Sequence, residues 1–327
     1  MRFLVIGLGS MGKRRIRCLL ANKEKDIVGF DLSEERQKEA EEKYGVKTVA
    51  DISSVSENDY DAMIISTPPN LHAPYIRKAL QDKKHFFVET TTSEDAYADV
   101  IKSDDDGIVR APSCTFRHFA PIKLMKKLIE EGKIGKLLAY QYHLGQYLPD
   151  WHPWEDYRKV FFSKKETGAC RELFPFELCW LNWLIGAEVA KVKGYISHIS
   201  DLDMDADDVL SASLVHENDV RGNILIDVIS RKPFRALTLL GSKGVIEWDW
   251  LGNEVRIYNA DTKQTEVIPI EKGKTEEGYI IIEDMYVEEI KAFLDAIKGV
   301  ASYPYTFAEV IKNLAILNVI EERAKKT

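Results

Sequence analysis

The sequence predicts an α/β chain of two domains: a doubly wound parallel sheet over residues 1–115, then an α+β domain over 116–327 built on a mainly antiparallel sheet. Three observations carry the prediction. Short apolar runs alternate with helical periodicities as far as Pro112, extended runs then follow one another with turn-rich links, and 327 residues at 45% hydrophobic content can bury more than one core.

The first run, Phe3-Leu4-Val5-Ile6, reads as a strand buried on both faces. It enters a Gly-x-Gly-x-x-Gly loop of Gly7, Leu8, Gly9, Ser10, Met11 and Gly12, and a helix starts at Ser10 or Met11 and continues through Ile16, Leu19 and Leu20. In such a loop Gly7 permits the tight turn, Gly9 lets backbone approach a pyrophosphate, and Gly12 lets the helix pack closely on the strand. Phosphates then rest on the helix N-terminus, where N–H groups and the dipole favour negative charge. A second apolar strand, 27–30, ends in Asp31. A carboxylate about 20 residues past the loop accepts the adenosine ribose hydroxyls and repels a 2′-phosphate. The pattern points to a Rossmann dinucleotide site for NAD, with NADP left open by Lys13, Arg14, Arg15 and Arg36 nearby. The plainer reading is a glycine-rich turn in an ordinary α/β sheet.

Next comes a charged helix over 33–43, capped by Ser33, with Glu34 and Glu35 in its first turn and Gly45 just past its end. Strands follow at 46–49 and 61–66, the latter running into Thr67-Pro68-Pro69-Asn70-Leu71-His72, where two prolines stop either element. A helix resumes near Leu71 and ends by Gln81, a fifth strand covers 85–89, a helix starts at about Glu94, and a sixth strand covers 107–110. Past Pro112 an amphipathic helix, 121–131, is stopped by Gly132. Strands are then expected at 137–148, 189–197, 209–216, 222–230, 237–240, 245–250 and 255–258, and helices at 282–298 and 306–325. The last helix carries Phe307, Val310, Ile311, Leu314, Leu317 and Ile320 at helical spacing, an apolar face expected to pack on the first domain.

Composition narrows the function. A net charge of −8 with no basic run disfavours nucleic acid and anionic membranes as partners. Cys18, Cys114, Cys170 and Cys179 lack any metal-ligand or Cys-x-x-Cys spacing and read as buried thiols in a reducing cytoplasm. No segment has the length of a membrane span, and the apolar start belongs to the first strand, so a soluble, unprocessed protein is expected. No Gly-x-Ser-x-Gly elbow occurs. Asp201, Asp203, Asp205, Asp207 and Asp208 invite a calcium reading, yet the glycine and closing glutamate of an EF-hand loop are missing, which favours a solvated turn. No metal is expected.

The glycine loop, the Thr-Pro-Pro-Asn-x-His loop after the fourth strand, the Val-Glu pair ending the fifth, and Glu131-Gly132-Lys133-Ile134-Gly135 resemble the Gfo/Idh/MocA oxidoreductases over essentially the whole chain. The resemblance implies a Rossmann domain, a second domain whose large open sheet forms a homodimer or homotetramer interface, a nicotinamide cofactor, and a sugar, sugar-nucleotide or polyol substrate. It implies that Ser66, Thr67, Pro68 and Asn70 line the cofactor, that His72 holds their loop, that Glu89 and Thr90 lie by the nicotinamide ribose, and that Arg117 touches cofactor or substrate. Read alone, His72 is equally a helix-terminal histidine satisfying local backbone.

Three positions depart from the family's pattern. Where the family follows the glutamate with a catalytic lysine, this chain has Thr90; where it places an aspartate and, four residues on, a histidine, this chain has Glu172 and Phe176. Threonine and phenylalanine cannot take a hydroxyl proton at neutral pH. Substitutes are expected in segment 146–158, which gathers aromatic, acidic and basic side chains after a strand. There His152 has the most suitable unperturbed pKa for a base, Tyr157 serves if Arg158 or Lys159 lowers its own, and Trp151 and Arg158 suit sugar rings and anionic groups. Arg171, Glu172 and Phe176 face the substrate by alignment. The segment is alternatively a packed loop or an oligomer contact, and the whole chain alternatively a non-catalytic cofactor- or sugar-binding sensor.

Overall fold

The computed structural model describes residues 1–90, 92–103, 107–151, 155–271, 273 and 282–324. In chain order its elements are β1 (Arg2–Ile6), α1 (Ser10–Ala21), β2 (Asp26–Phe30), α2 (Glu34–Tyr44), β3 (Lys47–Val49), β4 (Ala62–Ile65), α3 (His72–Gln81), β5 (His85–Val88), α4 (Tyr97–Lys102), β6 (Arg110–Pro112), α5 (Ala120–Glu130) and β7 (Leu137–Tyr147). There follow α6 (Cys170–Ile185), β8 (Val189–Ser197), β9 (Val209–His216), β10 (Arg221–Asp227), β11 (Ile229–Gly241), β12 (Gly244–Asp249), β13 (Glu254–Asn259), β14 (Gln264–Pro269), α7 (Asp284–Ile297) and α8 (Phe307–Ala324). The chain divides into two compact units, Met1–His118 with Thr275–Ile311 and Phe119–Lys274 with Lys312–Thr327. The boundaries of these units fall after His118, Lys274 and Ile311, so α7 groups with the first.

In the first unit six strands pair parallel in the order β3-β2-β1-β4-β5-β6. The order reverses between β1 and β4, the switch point beside which open sheets bind ligands. Both are covered on either face, and Leu4, Val5, Ile6, Met63, Ile64 and Ile65 are wholly buried. Ser33 caps α2 through its hydroxyl, which accepts the Arg36 N–H, and Gly45 ends it, as expected. The sixth strand lies later than 107–110, pairing Phe86 with Arg110 and Val88 with Pro112, because Gly107, at φ +76°, turns the chain first. Pro112 is tolerated because β6 is an edge strand.

In the second unit eight strands run β14-β13-β12-β11-β7-β10-β9-β8. All neighbours are antiparallel except β7 and β10, which pair parallel. On β7, Tyr140, Tyr142 and Leu144 are buried, and the Tyr142 ring meets Trp180 of α6 edge-on at 5.2 Å. β11 is much longer than 237–240, and β14 is an added edge strand whose exposed residues carry no apolar alternation. The apolar face of α8 is shared: Phe307 packs on Phe86 and Tyr97 within the first unit, and from Lys312 the helix groups with the second, where Asn182 Nδ2 donates to Asn313 Oδ1. The four cysteines are buried thiols, and burial pushes the Cys18 thiol up to about 12. Among the described residues no helix is long and apolar enough to cross a membrane.

Candidate cofactor cradle and substrate segment

The glycine loop is closed on itself and on the exit of β4. Gly7 has φ +85°, its N–H donates to the Phe30 carbonyl (2.8 Å), and a Cβ there would lie 2.7 Å from the Ser66 carbonyl oxygen. At Gly12 a Cβ would lie 1.7 Å from the Gly7 carbonyl oxygen, so only glycine allows α1 this close to the turn. α1 opens with no side-chain cap and no acidic residue in its first turn, so that turn carries no carboxylate to oppose a phosphate.

Asp31 braces two elements at once. Its Oδ2 accepts the Leu8 N–H (2.7 Å) and its Oδ1 the Ser33 N–H (2.9 Å), tying the glycine loop to the start of α2. Of the four basic residues near in sequence, only Arg36 stays by it, with Nη1 3.6 Å from Oδ2. The others diverge around the helix: Lys13 pairs with Glu39, Arg14 lies over the Tyr286 ring at 4.5 Å, and Arg15 is fully buried elsewhere.

The rim continues through Ser66, whose N–H donates to the Ile6 carbonyl (2.8 Å), into Thr67, Pro68 and Asn70. His72 is buried and its Nε2 donates to the Thr67 carbonyl oxygen (2.8 Å). Burial lowers the His72 pKa to about 4, so the ring is the neutral Nε2–H tautomer at neutral pH. His72 Nδ1 and Thr67 Oγ1 are buried without a hydrogen-bond partner among the described residues. A buried hydroxyl without a partner on this rim, beside a loop closed where Gly7 and Gly12 leave no room for a Cβ, fits a dinucleotide that supplies the missing contact.

Glu89, at the end of β5, is gripped by Arg15: Nε to Oε1 at 2.6 Å and Nη2 to Oε2 at 2.9 Å. Arg15 Nη1 reaches the wholly buried Glu289 of α7 (2.7 Å), which also accepts from the Ser113 hydroxyl, the Cys114 N–H and the Thr115 hydroxyl. Both carboxylates hold the Arg15 pKa well above the arginine range despite full desolvation, the largest opposing influence. No motif announced Glu289; its partner lies on a helix distant in sequence. Thr90 follows, half-buried. Arg117, expected to touch cofactor or substrate, donates to the Pro304 carbonyl and to Glu309 (3.0 Å) and lies over the Tyr305 ring at 4.4 Å. Its planar guanidinium is held there by the 304–309 stretch of its own unit.

In the second unit Trp151 and Tyr157 pack on an apolar cluster of Leu148, Ala169, Leu202, Ala206 and Val228. The Trp151 ring meets Phe162 edge-on at 4.5 Å, and its Nε1 is buried without a partner among the described residues. The Tyr157 hydroxyl accepts the Asp203 N–H (3.1 Å). Arg158, half-exposed, grips Asp156 at 2.8 and 2.9 Å and draws its carboxyl down to about 2, so its charge is matched by that neighbour. Arg171 pairs with Glu321 of α8. Glu172 and Phe176, one helical turn apart, share a half-buried face of α6. His152 lies outside the described residues. The acidic run is a hydrogen-bonded loop, in which Asp208 accepts from Ile199, Ser200 and the Ser200 hydroxyl, and no group of three possible metal ligands occurs among the described residues.

Residues 1–98 match the model of an oxidoreductase family with an NAD-binding Rossmann fold, and residues 122–247 match the GFO/IDH/MocA C-terminal domain. A levoglucosan dehydrogenase of Pseudarthrobacter phenanthrenivorans is 33% identical over 102 residues, 30% of this chain and 25% of that protein. A dTDP-3,4-didehydro-2,6-dideoxy-alpha-D-glucose 3-reductase of Streptomyces violaceoruber is 25% identical over 283 residues, 81% of this chain and 75% of that one. Among solved structures, levoglucosan dehydrogenase in complex with NADH and levoglucosan shares the fold with a TM-score of 0.85 at 21% identity, over 100% of this chain and 97% of that chain.

Proposed function

The chain belongs to the Gfo/Idh/MocA oxidoreductase family, and we propose that it is an NAD-dependent dehydrogenase or reductase acting on a sugar, sugar nucleotide or polyol derivative. The cradle in the first unit carries the reading: the Gly7–Gly12 closure, the braced Asp31 carboxylate and the buried Thr67 hydroxyl compose a site for a dinucleotide and little else. Gly9, Ser10 and Met11 would meet the pyrophosphate, Asp31 the adenosine ribose, and Ser66, Thr67, Pro68 and Asn70 the rim. When bound, the nicotinamide supplies or accepts the hydride.

The proton of the reacting hydroxyl then needs a protein group, and neither Thr90 nor Phe176 can hold it. Tyr157, with Glu172 and His152, is the candidate set, and Trp151, Arg158 and Arg171 would seat the substrate. The relatives that act on levoglucosan and on a dTDP-sugar support a sugar-like substrate. The outward face of the second sheet exposes Tyr195, Phe234, Leu240, Tyr258 and Val267, which supports assembly as a homodimer or homotetramer through it.

Thr90 and Phe176 favour one rival, a sensor that binds cofactor and sugar without turnover. Absorbance at 340 nm separates the two. A change with NAD(H) and a member of a panel of sugars, sugar acids and nucleotide sugars supports the enzyme; NADH binding with no change across the panel supports the sensor.

A further inference from the structure

We propose that His198 is a positioning residue held as the imidazolium, a charged clamp that fixes residues 199–208 against the 157–163 segment at acid and neutral pH and releases them as the pH rises. His198 follows the last residue of β8. Its Nδ1 lies 3.0 Å from the Ala206 carbonyl oxygen and its Nε2 lies 3.0 Å from the Ser200 carbonyl oxygen. A carbonyl oxygen only accepts, so both ring nitrogens must carry hydrogen. A neutral ring has one N–H and would turn a lone pair on the other carbonyl. His216 makes the contrast: its partners are the Ala187 carbonyl and the Tyr140 hydroxyl, and a hydroxyl can donate, so the neutral ring suffices there.

Charge supports the clamp. Wholly buried Asp208 has Oδ2 3.7 Å from Nδ1, and Asp207 adds to the field. Around Asp207, Lys165 and Glu321 face it with opposite signs, and Asp203 faces Arg158 at 3.6 Å. The Ala206 carbonyl first, then Asp208, the Ser200 carbonyl and Asp207, raise the His198 pKa above its ordinary 6.5 against partial desolvation.

The clamped loop is what the segment rests on. Leu202 and Ala206 join the cluster that holds Trp151, Tyr157 and Phe162; the Asp203 N–H donates to the Tyr157 hydroxyl; and the Asp205 and Ala206 N–H groups donate to the Ser163 carbonyl (3.2 and 3.3 Å). Since the folded pKa is raised, the stabilisation is complete below 6.5 and is lost as pH rises through the folded value. The clamp stands without the catalytic reading; only its bearing on turnover rests on that reading.

Two measurements on the protein without substrate or cofactor test it. The ring resonance of His198, identified by its absence in His198→Gln, should titrate above 6.5. Amide exchange of residues 199–208 and 157–165, corrected for intrinsic rates, should lose protection by up to about tenfold per pH unit between 6.5 and that midpoint and level off above it, and His198→Gln should abolish the dependence. A His198 midpoint at or below 6.5, or protection in the native protein that ignores pH, overturns the proposal. Exchange in the native protein decides alone if His198→Gln fails to fold.

Discussion

Gly9→Ala adds a methyl group where, apart from the adjoining residues, the only heavy atom within 4 Å among the described residues is Nη1 of Arg36, at 3.9 Å. The backbone there, φ −69° and ψ −164°, admits any residue. Alanine caps a helix less well than glycine, by about 0.5–1 kcal/mol, and a stiffer unfolded chain offsets about 0.4–1 kcal/mol of that. Tm should therefore move by less than about 3 °C. Cofactor binding should respond differently, because the methyl occupies the point where backbone would meet the pyrophosphate. An inserted methyl in a close contact costs about 1–3 kcal/mol, or roughly 5- to 150-fold in Kd. Gly12→Ala is the control. Its Cβ would lie 1.7 Å from the Gly7 carbonyl oxygen and 2.8 Å from the carbonyl carbon, so stability and binding should fall together. NADH titration by calorimetry beside thermal unfolding reads both quantities. A Gly9→Ala protein that binds NADH within twofold of the native protein would refute the placement of the phosphates.

Further outcomes follow from the same geometry. Asp31→Ala removes the acceptor for the Leu8 and Ser33 N–H groups and should raise the NADPH-to-NADH affinity ratio by about tenfold; a native protein that prefers NADPH overturns the NAD assignment. Arg15→Ala strands Glu89 and Glu289 without their cation and should lower unfolding stability by roughly 3–5 kcal/mol in urea; a loss below about 1 kcal/mol contradicts the buried network. The His72 pKa is depressed to about 4 from 6.5, so its contribution is present above 6.5 and is lost as pH falls toward 4, up to about 3 kcal/mol. His72→Gln should flatten that acid limb, and an unchanged limb assigns it to other groups. Tyr157→Phe should lower turnover at least about tenfold with NADH affinity unchanged; unaltered turnover removes Tyr157 from proton transfer.

The sequence by itself determined what is local. The glycine loop, its flanking strand and helix, and Asp31 lie within one supersecondary unit, so spacing along the chain is spacing in the fold. The caps of α2 were legible for the same reason. Edge strand β14 was hidden because an element exposed on both faces leaves no apolar period, and the parallel pairing of β7 with β10 because register between distant strands is not written in either. At the site, Lys13, Arg14 and Arg15 are consecutive in sequence, yet a helix turns each by about 100°, and they end on Glu39, Tyr286 and Glu89. Glu289 meets Arg15 across 274 positions, Arg117 is taken up by residues 304–309, and His198 finds its two carbonyls only once 199–208 has folded back on it. Residue identity and short-range spacing fixed that a dinucleotide cradle exists; which charges serve it and which serve the core was decided by tertiary packing, because a side chain's partner is set by where its helix or strand is aimed.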